Sequence, residues 1–197
     1  MAFGALVSGR QALGILRQDG TNGHTPGMSL WKYTGVARPD FAVEPGPDQE
    51  SVWDYPRPPA LADDDRAVEV RDEERCIAAT RAAIRVLETA SPPSFYLPPD
   101  CVEAGALVPV DGTSFCEWKG VARYWSLAGG SEPVAWSYPS PPRRFARLKD
   151  YVGFYPGRLA CFVDSERVRP QPGGFYGGWL TREIVGPVKG EAGTGTW

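Results

Sequence analysis

The residues with the strongest chemical potential run Cys116-Glu117-Trp118-Lys119-Gly120. A thiol becomes a nucleophile only as the thiolate, and a nearby cation lowers its pKa. Lys119 supplies such a charge if the segment folds back on itself, whereas Glu117 opposes it. Gly120 admits a positive φ, so the segment reads as a sharp loop between two strands. Cys116 and Lys119 are therefore the catalytic candidates, as nucleophile and electrostatic helper. The competing reading is a buried, inert cysteine, because free Cys is among the most buried residue types. Nucleophilic cysteines also need a base, usually His, and the single histidine, His24, lies far away near the N-terminus.

Rings crowd the rest of the chain. Trp118, Tyr138, Tyr155 and Tyr176 accompany Tyr124-Trp125, Trp136 and Phe154. Trp136 and Tyr138 share one face of an extended strand. Most such rings belong to a core, but phenol and indole groups beside Lys and Arg also suit a concave ligand site with a few polar anchors. The run Pro172-Gly173-Gly174-Phe175-Tyr176-Gly177-Gly178-Trp179 brackets aromatics with paired glycines. It reads as a tight β bend with Phe175, Tyr176 and Trp179 pointing inward. It lacks the spacing of a phosphate loop.

The elements that must position these groups are short. Twenty Pro and 23 Gly in 197 residues favour turns over long helices. Met1 to about Leu30 is Gly-rich and aperiodic, and Met28 offers an alternative start of translation. Trp31 to Asp65 reads as an extended, Pro-punctuated arm, densest at Trp53 to Pro59, since proline fixes φ at about −65° and removes a donor. There Trp53, Tyr55 and Arg57 are candidates to close a ligand cleft; alternatively Trp53 and Tyr55 staple the arm to the core. Asp63-Asp64-Asp65 reads as a solvated turn rather than a cation site. A hairpin follows, with Ala67 to Val70 and Arg75 to Ala78 as its strands. The run from Thr80 to Thr89 reads as one short helix, with Thr80 as N-cap and Ala83, Ile84, Val86 and Leu87 on its apolar side. Further strands are expected at 94–97, 121–127, 133–138, 152–155, 159–164 and 166–168, with a tight turn at Asp164-Ser165. The expected fold class is mainly β (α+β): an antiparallel, β-tent-like domain with one short helix. Residues 1–50 form an N-terminal extension, partly flexible, and 51–197 a single β-rich domain.

A net charge of −3 gives no global attraction for nucleic acid or an anionic membrane. No apolar run approaches the roughly 20 residues that span a bilayer, and no basic stretch precedes Met1 to Arg10 as a secretory signal requires. Cys76, Cys101, Cys116 and Cys161 are widely spaced and read as reduced thiols of a cytoplasmic protein. With no Cys-x-x-Cys and one histidine, neither a metal site nor a cofactor is expected. Residues 44–74 carry a local charge of −8 and residues 141–169 one of +4. These read as two solvated faces that attract each other, or as a basic rim for a small anion.

Several motifs together resemble a bacterial family known as domain of unknown function 427. They are Arg85-Val86-Leu87-Glu88-Thr89, Pro92-Pro93-Ser94-Phe95-Tyr96-Leu97-Pro98, Cys116-x-x-Lys119-Gly120 followed by Tyr124-Trp125, and Ala135-Trp136-Ser137-Tyr138-Pro139. The resemblance spans roughly residues 51–185 and implies a β-tent, two antiparallel sheets meeting at an angle. Some proteins of that architecture hold zinc through Cys-x-x-Cys pairs missing here. A nucleotidyltransferase association would need a Gly-Ser turn with paired aspartates, which is not evident. No established activity comes with the family. The leading expectation is a domain binding a small organic ligand, anionic in the sharper reading, in an aromatic-lined pocket. The alternatives are an enzyme using Cys116 and an interaction module whose Pro-rich arm docks on a partner or swaps between subunits.

Overall fold

The computed structural model describes residues 31–197. The Gly-rich start, His24 and Met28 lie outside the described residues. The strands are β1 (Glu50–Ser51), β2 (Ala60–Asp64), β3 (Val68–Asp72), β4 (Arg75–Thr80), β5 (Ala83–Leu87), β6 (Ser94–Leu97), β7 (Leu107–Cys116), β8 (Gly120–Leu127), β9 (Ala135–Ser137), β10 (Val152–Phe154), β11 (Ala160–Val163), β12 (Glu166–Arg167), β13 (Arg169–Pro170), β14 (Trp179–Leu180) and β15 (Ile184–Val185). A seven-stranded antiparallel sheet has the order β2-β5-β6-β10-β9-β8-β7, and a four-stranded one the order β12-β11-β3-β4. The protein is thus mainly β, built from antiparallel sheets and not a closed barrel. Its helical content is brief: 3-10 turns at Val52–Asp54 and Pro99–Cys101, and a six-residue 3-10 segment at Arg143–Leu148.

Period-2 alternation builds the core between the two sheets. Val68, Val70, Ile77, Cys161 and Val163 of the smaller sheet meet Ala83, Phe95, Leu97, Ala135, Val152 and Phe154 of the larger. Each large aliphatic or aromatic side chain buried there stabilises the fold by about 1.5–3 kcal/mol. Trp179, fully buried, closes this layer. Its ring stacks on Phe95 at 4.8 Å and its indole N–H donates to the Phe154 carbonyl at 3.0 Å.

The expected helix over residues 80–89 is instead the end of β4, a turn, and β5. The Thr80 hydroxyl accepts from the Ala82 amide at 3.0 Å and so caps a turn between strands. Ala83, Ile84, Arg85 and Val86 are all buried because β5 lies inside the sheet with both faces covered. A strand buried on both faces reads as a continuous apolar run, which periodicity cannot separate from a helix. The aspartate run is likewise no solvated turn: Asp63 and Asp64 belong to β2, and Asp64 is buried against Arg66 and Arg85.

The arm before residue 60 contributes β1, which pairs in parallel with β15 near the far end of the chain. Val52, Trp53, Tyr55, Ala90 and Ile184 form a third apolar cluster, with Tyr33, Leu180, Val188 and Trp197 packed against it. Trp53 and Tyr55 therefore staple the arm to its own chain. The charge-rich segments do touch: Arg147 pairs with Asp63, and Arg144 donates to the Pro58 carbonyl at 3.5 Å.

Candidate functional site

On the face of the seven-stranded sheet turned away from the four-stranded one, alternate residues of adjacent strands converge. Ser94 and Tyr96 come from β6, Ser114 and Cys116 from β7, Ala122 and Tyr124 from β8, and Trp136 from β9 with Tyr138 just beyond it. They line a cavity of about 420 Å³. The spacing is the two-residue repeat of strands sharing one face. The hairpin turn between β7 and β8 adds Glu117, Trp118 and Lys119, while Phe175, Tyr176 and Lys189 arrive from the C-terminal segment and Trp31 from the N-terminal one. Gly120, at φ 87°, closes the hairpin opposite Cys116. Cys116 ends β7 and Gly120 begins β8, so only Glu117 to Lys119 lie between the strands.

Trp136 is fixed by absence of side chains around it. Gly153 stands opposite both Trp136 and Tyr96 in the sheet register. A Cβ at Gly153 would meet the indole at 2.5 Å, and one at Gly177 closer still. With only backbone on both sides, the indole reaches across β10. Its N–H donates to the Tyr96 hydroxyl at 3.0 Å, and its ring packs against Tyr155 at 4.6 Å.

Lys119 is the cation of the cavity floor. Its side chain is buried, with 9% of the residue accessible, and among the described residues it makes no ion pair. Burial works against its charge. The Tyr96 hydroxyl, the Cys116 thiol and the Glu88 carboxylate outweigh it, holding the ammonium above the ordinary lysine range. Its Nζ lies 5.8 Å from the centre of the Tyr138 ring. Burial pushes the phenols of Tyr138, Tyr96 and Tyr155 upward, so all three stay neutral hydrogen-bonding groups near neutral pH. Cys116, Lys119 and Tyr138 lie together on the wall of the cavity. The Trp118 indole N–H is buried and makes no hydrogen bond among the described residues.

Cys116, Trp118, Lys119, Tyr138, Tyr155 and Tyr176 all line this one cavity. Trp53 and Tyr55 do not. The Trp53 indole donates to the Pro187 carbonyl at 3.0 Å, and the Tyr55 hydroxyl to Glu50 at 2.7 Å. Arg57 stands just behind the wall: it donates to the carbonyls of Tyr33 and Thr89 at 2.7 and 2.8 Å and pairs with Glu88. Its guanidinium also covers the Trp31 ring at 4.4 Å. Trp31, whose N–H donates to Glu117 at 2.6 Å, and Lys189 escape a reading of the sequence because no local pattern ties the flanks to the hairpin. Phe175, expected to point inward, is 68% exposed, because Gly173 and Gly174 at positive φ turn the chain outward beside Tyr176. The basic stretch 141–169 contributes no Arg or Lys to the cavity wall; among the described residues the lining cations are Lys119 and Lys189.

All four cysteines are free. Among the described residues no group of three or more His, Cys, Asp or Glu side chains is arranged to hold a metal ion. None of the helices there is long and apolar enough to cross a membrane.

Two packed antiparallel sheets with an aromatic, lysine-floored cavity on the outer face of the larger define a β-sheet scaffold carrying a concave site. The chain matches the family described as Domain of unknown function (DUF427) over residues 60–168, more than half its length, and belongs to that family. No curated protein matches it. The matched span holds the hairpin, Lys119 and the sheet face. The Trp31, Tyr176 and Lys189 walls come from outside it.

Proposed function

We propose that the cavity binds a small organic anion with a planar body, its acid on Lys119 and its rings against the aromatic walls. The observation that carries this reading is a buried ammonium that stays charged and makes no ion pair among the described residues. A buried charge is costly unless compensated, and an incoming carboxylate or phosphate compensates it. The unpartnered Trp118 N–H supports the same reading, since a buried donor without an acceptor forfeits about 1–3 kcal/mol that a ligand oxygen restores.

Thermal-shift measurements with small aromatic acids and their neutral amides test it. The acids raise the wild-type melting temperature and the amides do not, because only a ligand that prefers the folded state stabilises it. Lys119→Met removes the response, weakening binding by at least about tenfold, or 1.4 kcal/mol. The ligand-free variant loses some stability, because the Tyr96, Cys116 and Glu88 groups that hold the ammonium above its ordinary range are left without it. Equal shifts in both proteins, or none in either, sink the proposal.

A second reading rests on Cys116 and Lys119 lining the same cavity: Cys116 acts as a nucleophile, with Lys119 as its electrostatic helper. Alkylation by iodoacetamide across pH then proceeds faster at Cys116 in wild type than in Lys119→Met. Equal rates in the two proteins rule it out.

A further inference from the structure

Lys189 is the second lysine of the cavity, and binding an anion at Lys119 makes no use of it. Its backbone is fixed on both sides. The amide donates to the Ala90 carbonyl at 2.7 Å, and its own carbonyl accepts from the Gln171 side chain at 2.7 Å. The other end of that amide side chain accepts from the Gly178 N–H at 3.1 Å, tying Lys189 to the bend that carries Tyr176. From this root the side chain, only 4% exposed as a residue, puts its Nζ 3.8 Å from the centre of the Trp31 ring, 5.6 Å from that of Tyr176 and 3.4 Å from the Trp197 carbonyl. Among the described residues it makes no ion pair. The neighbouring cation, Arg57, lies over the same Trp31 ring.

An amine surrounded by rings and set beside a second cation is the setting in which lysine turns from an ammonium into a nucleophile. Burial lowers Lys189 below the ordinary lysine range, with Arg57 adding to the effect and Glu88 and Glu117 opposing it. Lys119, in the same cavity, is driven the other way. Two like groups tuned in opposite directions mark a division of roles: one stays a cation, the other has access to its neutral form.

We propose that Lys189 captures a carbonyl ligand as an imine while Lys119 holds that ligand's acidic group, which makes the ligand an aldehyde or ketone bearing a carboxylate or phosphate. This deepens the anion-binding reading and rests on it. Lys189 first gives its proton to water. The neutral Nζ then adds to the carbonyl carbon, the π pair moves onto oxygen, and a proton passes from the nitrogen to that oxygen to give a carbinolamine; the remaining N–H proton leaves with the hydroxyl in the next step. Loss of that oxygen as water leaves the C=N bond, and the reverse addition of water releases the ligand. Nothing is oxidised or reduced.

The test uses the full chain with para-carboxybenzaldehyde and sodium cyanoborohydride near neutral pH. Hydride delivered to the imine carbon fixes the ligand as a secondary amine, adding the aldehyde's mass less one oxygen. Peptide mapping places the adduct on Lys189 ahead of the other lysines, Lys32, Lys119 and Lys149. Lys189→Arg, which keeps a cation against Trp31, loses the adduct, and Lys119→Met loses the preference for Lys189. Terephthalate, an acid with no aldehyde, separates the two claims. If it stabilises wild type through Lys119 while the aldehyde labels all lysines alike or labels Lys119 first, the imine is overturned and anion binding stands. If terephthalate gives no stabilisation and the aldehyde no selective labelling, both fail.

Discussion

Arg85→Met lowers the stability of the fold by about 3–5 kcal/mol, the cost of removing one member of a buried ion network. Arg85 is 7% exposed on β5, one strand in from the edge of the larger sheet. Its guanidinium donates to both oxygens of Glu50 at 3.1 Å, and its Nε lies 3.1 Å from Asp64 Oδ2, an electrostatic contact outside hydrogen-bond geometry. Arg66 wraps the same carboxylate with bonds of 2.6 to 3.1 Å and also pairs with Glu183. One network therefore joins β1, β2, β5 and the turn before β15. Methionine fills the volume of the stem but leaves Asp64 buried with one cation instead of two. The change appears as a lower urea midpoint at unchanged slope, and a loss under about 1 kcal/mol would show that Arg66 alone carries the site.

The same network sets an acid limit. Burial raises the Asp64 carboxyl, but Arg66 and then Arg85 outweigh it and hold it below the ordinary value of 3.8. A carboxyl depressed in the folded state contributes stability above its unfolded pKa, and that contribution fades as pH falls through the folded value. Wild-type stability therefore declines on acidification below about pH 4. In Arg85→Met the folded value moves back toward 3.8, so less is left to lose and the acid limb is shallower. Urea titrations over that range, run on both proteins, read the difference directly.

What the sequence showed and what it concealed follow from the range of the interactions involved. The hairpin of β3 and β4, the left-handed turn at Asp164-Ser165 and the positive φ of Gly120 are written in adjacent residues, and they stand where local chemistry put them. β7 was hidden by its own content. Pro109 and Asp111-Gly112 read as turn signals, yet the chain runs through them as one ten-residue edge strand with a register shift between Val110 and Thr113. An edge strand tolerates a missing donor, and a bulge absorbs Gly112 at φ 102°. β5 was hidden by burial on both faces, and β2 by carboxylates whose partners lie 84 residues away at Arg147 and 21 at Arg85. For the cavity, the alternation of Trp136 and Tyr138 marked the face. Nothing local marked Lys189, whose role depends on rings from residues 31 and 176.

Gly177→Ala tests whether the cavity depends on backbone rather than on the side chains that decorate it. The added methyl would overlap the Trp136 indole from one side, while the Gly153 backbone blocks retreat on the other. The ring is further held by its bond to Tyr96 and its contact with Tyr155. The bend cannot yield easily either. A Cβ at Gly173 would run into the Gly190 carbonyl and one at Gly190 into the Pro172 carbonyl, and Gln171 clamps Gly178 to Lys189. Overpacking between two fixed surfaces costs about 1–3 kcal/mol, and this site belongs at the upper end because no flexible side chain is available to give way. Relief by swinging Trp136 out would break the Tyr96 bond and push the indole into the cavity. Gly177→Ala is therefore expected to lose both stability and the melting response to aromatic acids, with a changed near-ultraviolet circular dichroism from the tryptophan. Gly195→Ala is the control, because a Cβ there meets nothing within 4 Å and changes stability by less than about 0.5 kcal/mol. If Gly177→Ala matches Gly195→Ala in stability and ligand response, the bend moves freely, and the cavity is not the preformed site that the packing of Trp136 describes.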